Sequence, residues 1–269
     1  MFDFFNHTFM IYALILGLSL GLAAALISPF LVLNHQSMIA DGLSHVAFAG
    51  IIFGLLLFDE PIYFALPFVI GAAFLITYLG NLKMISHDAS IGVVSAFSLA
   101  IGLIAVTLSS GFNRSIESLL VGSILTVTLF DVLFSVGLFL LILSFVLIFY
   151  RPLLSITYDS SYAKIKGIKY NFLRYGLSAI TAAFIVIGIR STGMLLISAF
   201  IIFPSLIASQ FAKSFRQTIT FGLILSLITI FIGITFAYHL DIPVGSSIVV
   251  IYTVILIAAI GFRKILKEA

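Results

Sequence analysis

Asp41 and His45 stand four residues apart in the run Asn34-His-Gln-Ser-Met-Ile-Ala-Asp-Gly-Leu-Ser-His-Val-Ala-Phe-Ala-Gly50. On a helix that spacing brings a carboxylate and an imidazole onto one face. The pair suits a divalent first-row metal, because imidazole is a borderline donor and carboxylate a hard one. Two ligands are too few for a tight site, but a homodimer meeting at its two-fold axis would supply four. The commoner use of such a pair is structural: Asp41 would cap a helix beginning at Gly42, and His45 would hydrogen-bond to it or to a neighbouring carbonyl. His239 and Asp241 flank a short loop before Pro243 and offer transient donors to an arriving cation, or simply sit beside a turn at the membrane surface. His7, His35 and His87 read as solvated or interfacial, and Asp88, Glu117 and Asp131 as span-end residues.

The elements that position these residues follow from composition. Of 269 residues, 62% are hydrophobic and 9% charged, and the mean hydropathy is +1.30. A soluble domain is nearer half apolar and a quarter charged, so this chain is expected to be an all-α polytopic membrane protein. We treat residues 1–269 as a single transmembrane domain, because no linker or composition shift divides them. Long uncharged runs predict spans at Ile11–Leu33, Gly42–Phe58, Ile62–Leu82, Ala89–Ser109, Leu129–Tyr150, Phe172–Ile189, Ser191–Phe211, Thr218–Tyr238 and Val244–Phe262. That makes about nine crossings, eight being possible, with 116–128 read as a short re-entrant or interfacial segment. Placing the C-terminus in the cytoplasm puts eleven Lys/Arg inside and only Arg114 and Arg190 outside, which settles the orientation. Gly17 and Gly21, and Gly50 and Gly54, are spaced for close helix packing.

What is missing narrows the function. There is no cysteine, so no disulfide and no thiolate metal site. No phosphate-binding Gly-x4-Gly-Lys-Ser/Thr loop occurs, nor any HExxH or Gly-x-Ser-x-Gly element, so the chain is expected to be neither an ATPase nor a hydrolase. The net charge of +3 is dispersed among loops and is no nucleic-acid footprint.

The segment Asp159, Ser160, Ser161, Tyr162, Ala163, Lys164, Ile165, Lys166, Gly167 opens on good N-caps and closes on a natural C-cap glycine. A short helix there has the shape to dock into a partner's groove, or to rest its lysines on anionic headgroups.

Five stretches in this order resemble the membrane permeases of bacterial ABC importers for zinc, manganese and iron: Ser37–Gly50, Asp88–Val93, Leu120–Thr126, Thr192–Pro204 and Asp241–Ser246. The resemblance implies a multi-pass subunit of the bacterial plasma membrane. It implies a homodimer working with two cytoplasmic ATPase subunits and an extracytoplasmic metal-binding protein. Asp41 and His45 would be pathway ligands, Asp159–Gly167 the helix coupling to the ATPase, and the metal a transported substrate rather than a resident cofactor. The family leads one to expect a basic residue where His35 stands, which leaves an accessory role open for that histidine. The Ala-Asp-Gly-Leu-Ser-His-Val form is closer to the zinc branch than to the manganese one, so zinc is the expected cargo and manganese or iron the alternative. An ion-coupled secondary carrier would show broken helices with several ionisable groups at mid-membrane. An intramembrane metallohydrolase would need a third ligand and a base. The sequence offers little of either.

Overall fold

Hydrocarbon offers backbone N–H and C=O groups no partner, so a chain this apolar closes its hydrogen bonds within helices. The computed structural model describes residues 8–58, 61–82, 85–109 and 127–268, with side chains to 265. Ten helices are described: α1 (Thr8–Leu33), α2 (Ile39–Leu57), α3 (Ile62–Asn81), α4 (His87–Leu108), α5 (Leu129–Tyr158), α6 (Ser160–Ile165), α7 (Tyr170–Thr192), α8 (Met194–Ala208), α9 (Phe215–Leu240) and α10 (Val244–Glu268). Eight of them are long and apolar enough to cross a membrane; α8, with 15 residues, is a shorter apolar helix. The expected span over Ser191–Phe211 is therefore trimmed at both ends. Gly193, at φ 84° and ψ 167°, breaks the chain between α7 and α8, a backbone state that essentially only glycine adopts. The segment 120–126 and most of the stretch read as re-entrant lie outside the described residues, as do His7, Lys83, Arg114 and Glu117.

Tertiary contacts fix which helix ends lie together. Phe215, opening α9, packs its ring against Phe30 of α1 and Tyr158 of α5. Asn34 after α1 donates to Thr157 of α5 at 3.5 Å, and Arg263 of α10 donates to Gln210 after α8 at 2.8 Å. Arg174 of α7 donates to Asn81 of α3 at 2.6 Å and to His87 of α4. These contacts gather Arg151, Lys164, Lys166, Lys169, Arg174, Lys213, Arg216, Arg263 and Lys264 at the α6 end of the bundle. By the positive-inside rule this end is cytoplasmic. At the opposite end Arg190 of α7 pairs with Asp131 of α5 at 3.3 Å. Asp131 also closes a capping box with Thr128, so one carboxylate starts α5 and ties it to α7.

The centre of the bundle is α1, α2 and α8. Within the core of each span, 67% of α1 and α2 is buried, against 28% of α3, α4, α5 and α10, whose outer faces carry exposed residues such as Phe97, Leu133, Leu147 and Val254. Close approach depends on small residues, as expected. A Cβ on Gly21 would meet Ile230 of α9 at 2.0 Å, and one on Gly50 would meet Ala65 of α3 at 3.0 Å. Buried hydroxyls add cross-links between helices: Thr77 with Ser178 at 2.6 Å, Tyr252 to Ser226 at 3.1 Å, and Ser28 to the Ile201 carbonyl. Helix α5 runs past its predicted end at Tyr150 to Tyr158, and its 30 residues extend about 45 Å. Phe149 departs from helical geometry (φ −103°, ψ 18°) because Pro152 supplies no N–H and its ring crowds the preceding turn.

Gly193→Ala is expected to cost about 1–3 kcal/mol, read as a lowered thermal midpoint of the purified chain. Gly71→Ala is the control: a Cβ there meets nothing within 4 Å, so its midpoint should hold or rise.

Candidate metal site and coupling helix

Helix α2 begins at Ile39, three residues before the expected start, with Met38 at the N-cap and no side-chain cap. Asp41 is therefore the third helical residue and does not serve as the cap. Behind it, Gly42 lets α4 approach so closely that a Cβ would lie 2.3 Å from Ile91. Nearly every other residue from Ile39 to Gly50 is buried. The exceptions are Asp41 and His45, whose side chains keep 52% and 32% of their exposure. With the exposed Met38 they form one uncovered stripe on α2. His45 Nε2 stands 3.9 Å from Asp41 Oδ2, too far for a hydrogen bond. It is within the roughly 4.2 Å that two ligands, each about 2.1 Å from one metal, can span. No group of three or more His, Cys, Asp or Glu fit to hold a metal occurs among the described residues. One chain thus offers two donors, about 3–9 Å into α2 from its cytoplasmic end.

The predicted docking helix forms where its caps place it. Asp159 Oδ1 accepts from the Ser161 and Tyr162 amides, both at 2.9 Å. Gly167, at φ 74°, ends the helix in a Schellman motif: Ile168 N–H reaches Ala163 O and Gly167 N–H reaches Lys164 O, each at 3.1 Å. Ala163 is fully buried against the bundle, while Tyr162 and Ile165 point away, Ile165 being 88% exposed. The helix is anchored through Ala163, and its free side mixes the exposed Tyr162 and Ile165 with Ser161 and Lys164.

His239 and Asp241 lie at the far end of the bundle from Asp41. Asp241 is the left-handed residue that ends α9 (φ 53°), its N–H bonded to Ala237 O. His239 rests edge-on against the Tyr238 ring. His35 is the second left-handed residue outside glycine (φ 55°). It terminates α1 in the same way, with His35 N–H to Val32 O and Gln36 N–H to Leu31 O. Both polar positions singled out in the sequence thus have backbone roles that no local signal announces, since neither is Gly or Asn.

The sequence also left a polar cluster unread. Arg174 donates to Asn81, to the Tyr170 hydroxyl and, at 2.6 Å, to His87 Nε2. A guanidinium only donates, so His87 Nε2 accepts and is not free for a metal. His87 is therefore held by Arg174 at the start of α4. His35, His87 and Arg174 line a cavity of about 360 Å³ that also reaches Asn34, Gln36 and Ser160, joining the start of α6 to the turn before α2. Only tertiary structure assembles this group, from four separated segments.

Residues 6–263 match the model of the ABC 3 transport family. The manganese import system permease ScaB of Streptococcus gordonii is 30% identical over 88% of this chain and 85% of its own. A probable iron transport system membrane protein of Haemophilus influenzae is 27% identical over 96% and 91%. A chain of the PsaBC complex with Fab from Streptococcus pneumoniae superposes with a TM-score of 0.83 at 27% identity, covering 96% of this chain and 94% of that one. The chain belongs to the ABC 3 transport family: it is a multi-pass permease of a bacterial metal importer, not an enzyme, and ATP hydrolysis falls to a separate subunit.

Arg174→Lys keeps the charge but not the fork that grips α3 and α4 from α7. A loss of about 1–3 kcal/mol is expected, seen as a lower thermal midpoint with the family fold retained by circular dichroism.

Proposed function

We infer that this permease carries manganese(II) inward as a homodimer, served by two cytoplasmic ATPase subunits and an extracytoplasmic metal-binding protein. The uncovered stripe of Met38, Asp41 and His45 along the otherwise buried stretch from Ile39 to Gly50 carries the reading. A carboxylate facing lipid is costly, about 2.5–3.5 kcal/mol at a helix centre and less toward the end where Asp41 sits, and a second copy across a two-fold axis removes the exposure. The two copies then bring two carboxylates and two imidazoles together. Two carboxylates cancel the charge of one dication, so the loaded site is neutral in a low-dielectric setting. The carboxylates suit manganese, and the similar permease ScaB of Streptococcus gordonii is named for manganese import.

The metal arrives at the outer face, where His239 and Asp241 give it brief contacts. It is held by Asp41 and His45 of each protomer, close to the cytoplasmic end, and is released inward. Holding has to be weak enough for exit, which a four-donor site shared by two chains provides. Movement of the ATPases acts through Asp159–Gly167, whose exposed Tyr162 and Ile165 meet the partner while Ala163 transmits to the bundle. Zinc is the second reading, favoured by the Ala-Asp-Gly-Leu-Ser-His-Val form. The Irving–Williams order lets any such site bind zinc more tightly than manganese, so selection between the two rests with the delivering protein.

Uptake of radiolabelled manganese and zinc into cells or vesicles tests the site. Asp41→Asn and His45→Ala should each bring uptake to background while the ATPase still co-purifies; full transport by both variants rejects the assignment. Accumulation decides the cargo: labelled zinc entering the cells while labelled manganese does not would favour zinc. Ala163→Pro removes the Ala163 N–H that bonds Asp159 O at 3.1 Å. It should leave ATP hydrolysis running with transport lost, and normal coupling would overturn the docking role.

A further inference from the structure

The kink in α5 opens a groove that neither the metal site nor the coupling helix uses. Between the bent α5 and the start of α7 lies a cavity of about 450 Å³ floored by Phe149, Pro152, Ile168, Phe172 and Leu173, with Lys169 at its edge. A second cavity, of about 360 Å³, shares Ile168, Lys169 and Phe172 and adds Lys164 and Tyr170. Together they form one trough, apolar at one end and basic at the other, and no carboxylate lines either part. Phe172 keeps 59% of its surface exposed at the rim. Lys164 Nζ sits 4.6 Å from the centre of the Tyr170 ring, which holds its charge at the mouth of the groove.

The height of this trough identifies what fills it. Phe149 lies twenty residues along α5 from Leu129, about 30 Å by helix rise, which is the thickness of the hydrocarbon. Arg151 follows at once, the first charged residue on α5 after Asp131. The apolar floor therefore falls at the inner edge of the acyl region and the lysines fall in the headgroup layer. Basic pockets between helices on the cytoplasmic side suit acidic lipid headgroups. Tyr162 and Ile165, which serve ATPase docking, do not line the trough.

We propose that this trough is a binding site for one anionic phospholipid of the inner leaflet. An acyl chain lies along Phe149, Ile168 and Phe172, and the phosphate sits between Lys164 and Lys169. The bound lipid props the kinked end of α5 against α7, next to the helix that receives the ATPase.

The test uses the full-length chain in the assembly in which it purifies, partly delipidated and offered phosphatidylglycerol, phosphatidylcholine or glycerophosphate. Retained ligand is read by native mass spectrometry, and the thermal midpoint checks folding. Wild type should retain phosphatidylglycerol in preference to phosphatidylcholine. Each of Lys164→Gln and Lys169→Gln should weaken that preference about fivefold, the factor that corresponds to the attraction of one Lys for an acidic leaflet. Lys213→Gln, outside the trough, should not. Ile168→Trp, which fills the floor, should lower retention of both lipids with the midpoint preserved. Equal phosphatidylglycerol retention by wild type and the two groove lysine variants overturns the proposal. So does displacement of the lipid by glycerophosphate, which would leave a free-phosphate site. Retention only after the ATPase is stripped away would assign the trough to that protein instead.

Discussion

Hydrocarbon neither hydrogen-bonds nor solvates charge, and that single property organises this molecule. Backbone groups are closed within helices, and hydroxyls such as those of Thr77, Ser178 and Tyr252 find partners across helix interfaces. Charges are pushed to the ends, where they secure the helices. Asp131 starts one helix and grips Arg190, Asp159 starts another, and Arg174 binds three elements together. Against that background a half-exposed carboxylate and imidazole on the most enclosed helix stand out. They are not consumed by capping or pairing, and the fold leaves them facing outward from a single copy.

The same constraint explains how much of the fold was legible. Every long span was readable because lipid demands an unbroken apolar run, and the starts at Ile62, Leu129 and Val244 fell on the expected residues. Ends governed by ordinary cap chemistry were readable too, as at Asp159 and Gly167. Ends governed by unusual backbone states were not. His35 and Asp241 turn left-handed at positions where hydropathy shows only a polar residue, so both looked like loop groups available for binding. The shortness of α8 was also hidden, since Gly193 splits an apolar stretch that gives hydropathy no reason to stop.

The functional residues divide along a similar line. Asp41 and His45 were visible from an i,i+4 spacing, and the start of α2 at Ile39, which only the structure reveals, removes the capping role expected of Asp41. The cluster around Arg174 was invisible, because Asn81, His87 and the pair Tyr170 and Arg174 come from three different helices and each alone resembles an interfacial residue. Enclosure of the proposed metal site lies beyond both levels, for the proposal assigns it to a pair of chains.

One consequence of the length of α5 concerns the partner more than the permease. Past the kink at Phe149 α5 runs on to Tyr158, beyond the apolar span, so the short helix that follows stands at the level of the headgroups and not among the acyl chains. A partner arriving from the aqueous side reaches such a perch without entering the acyl layer.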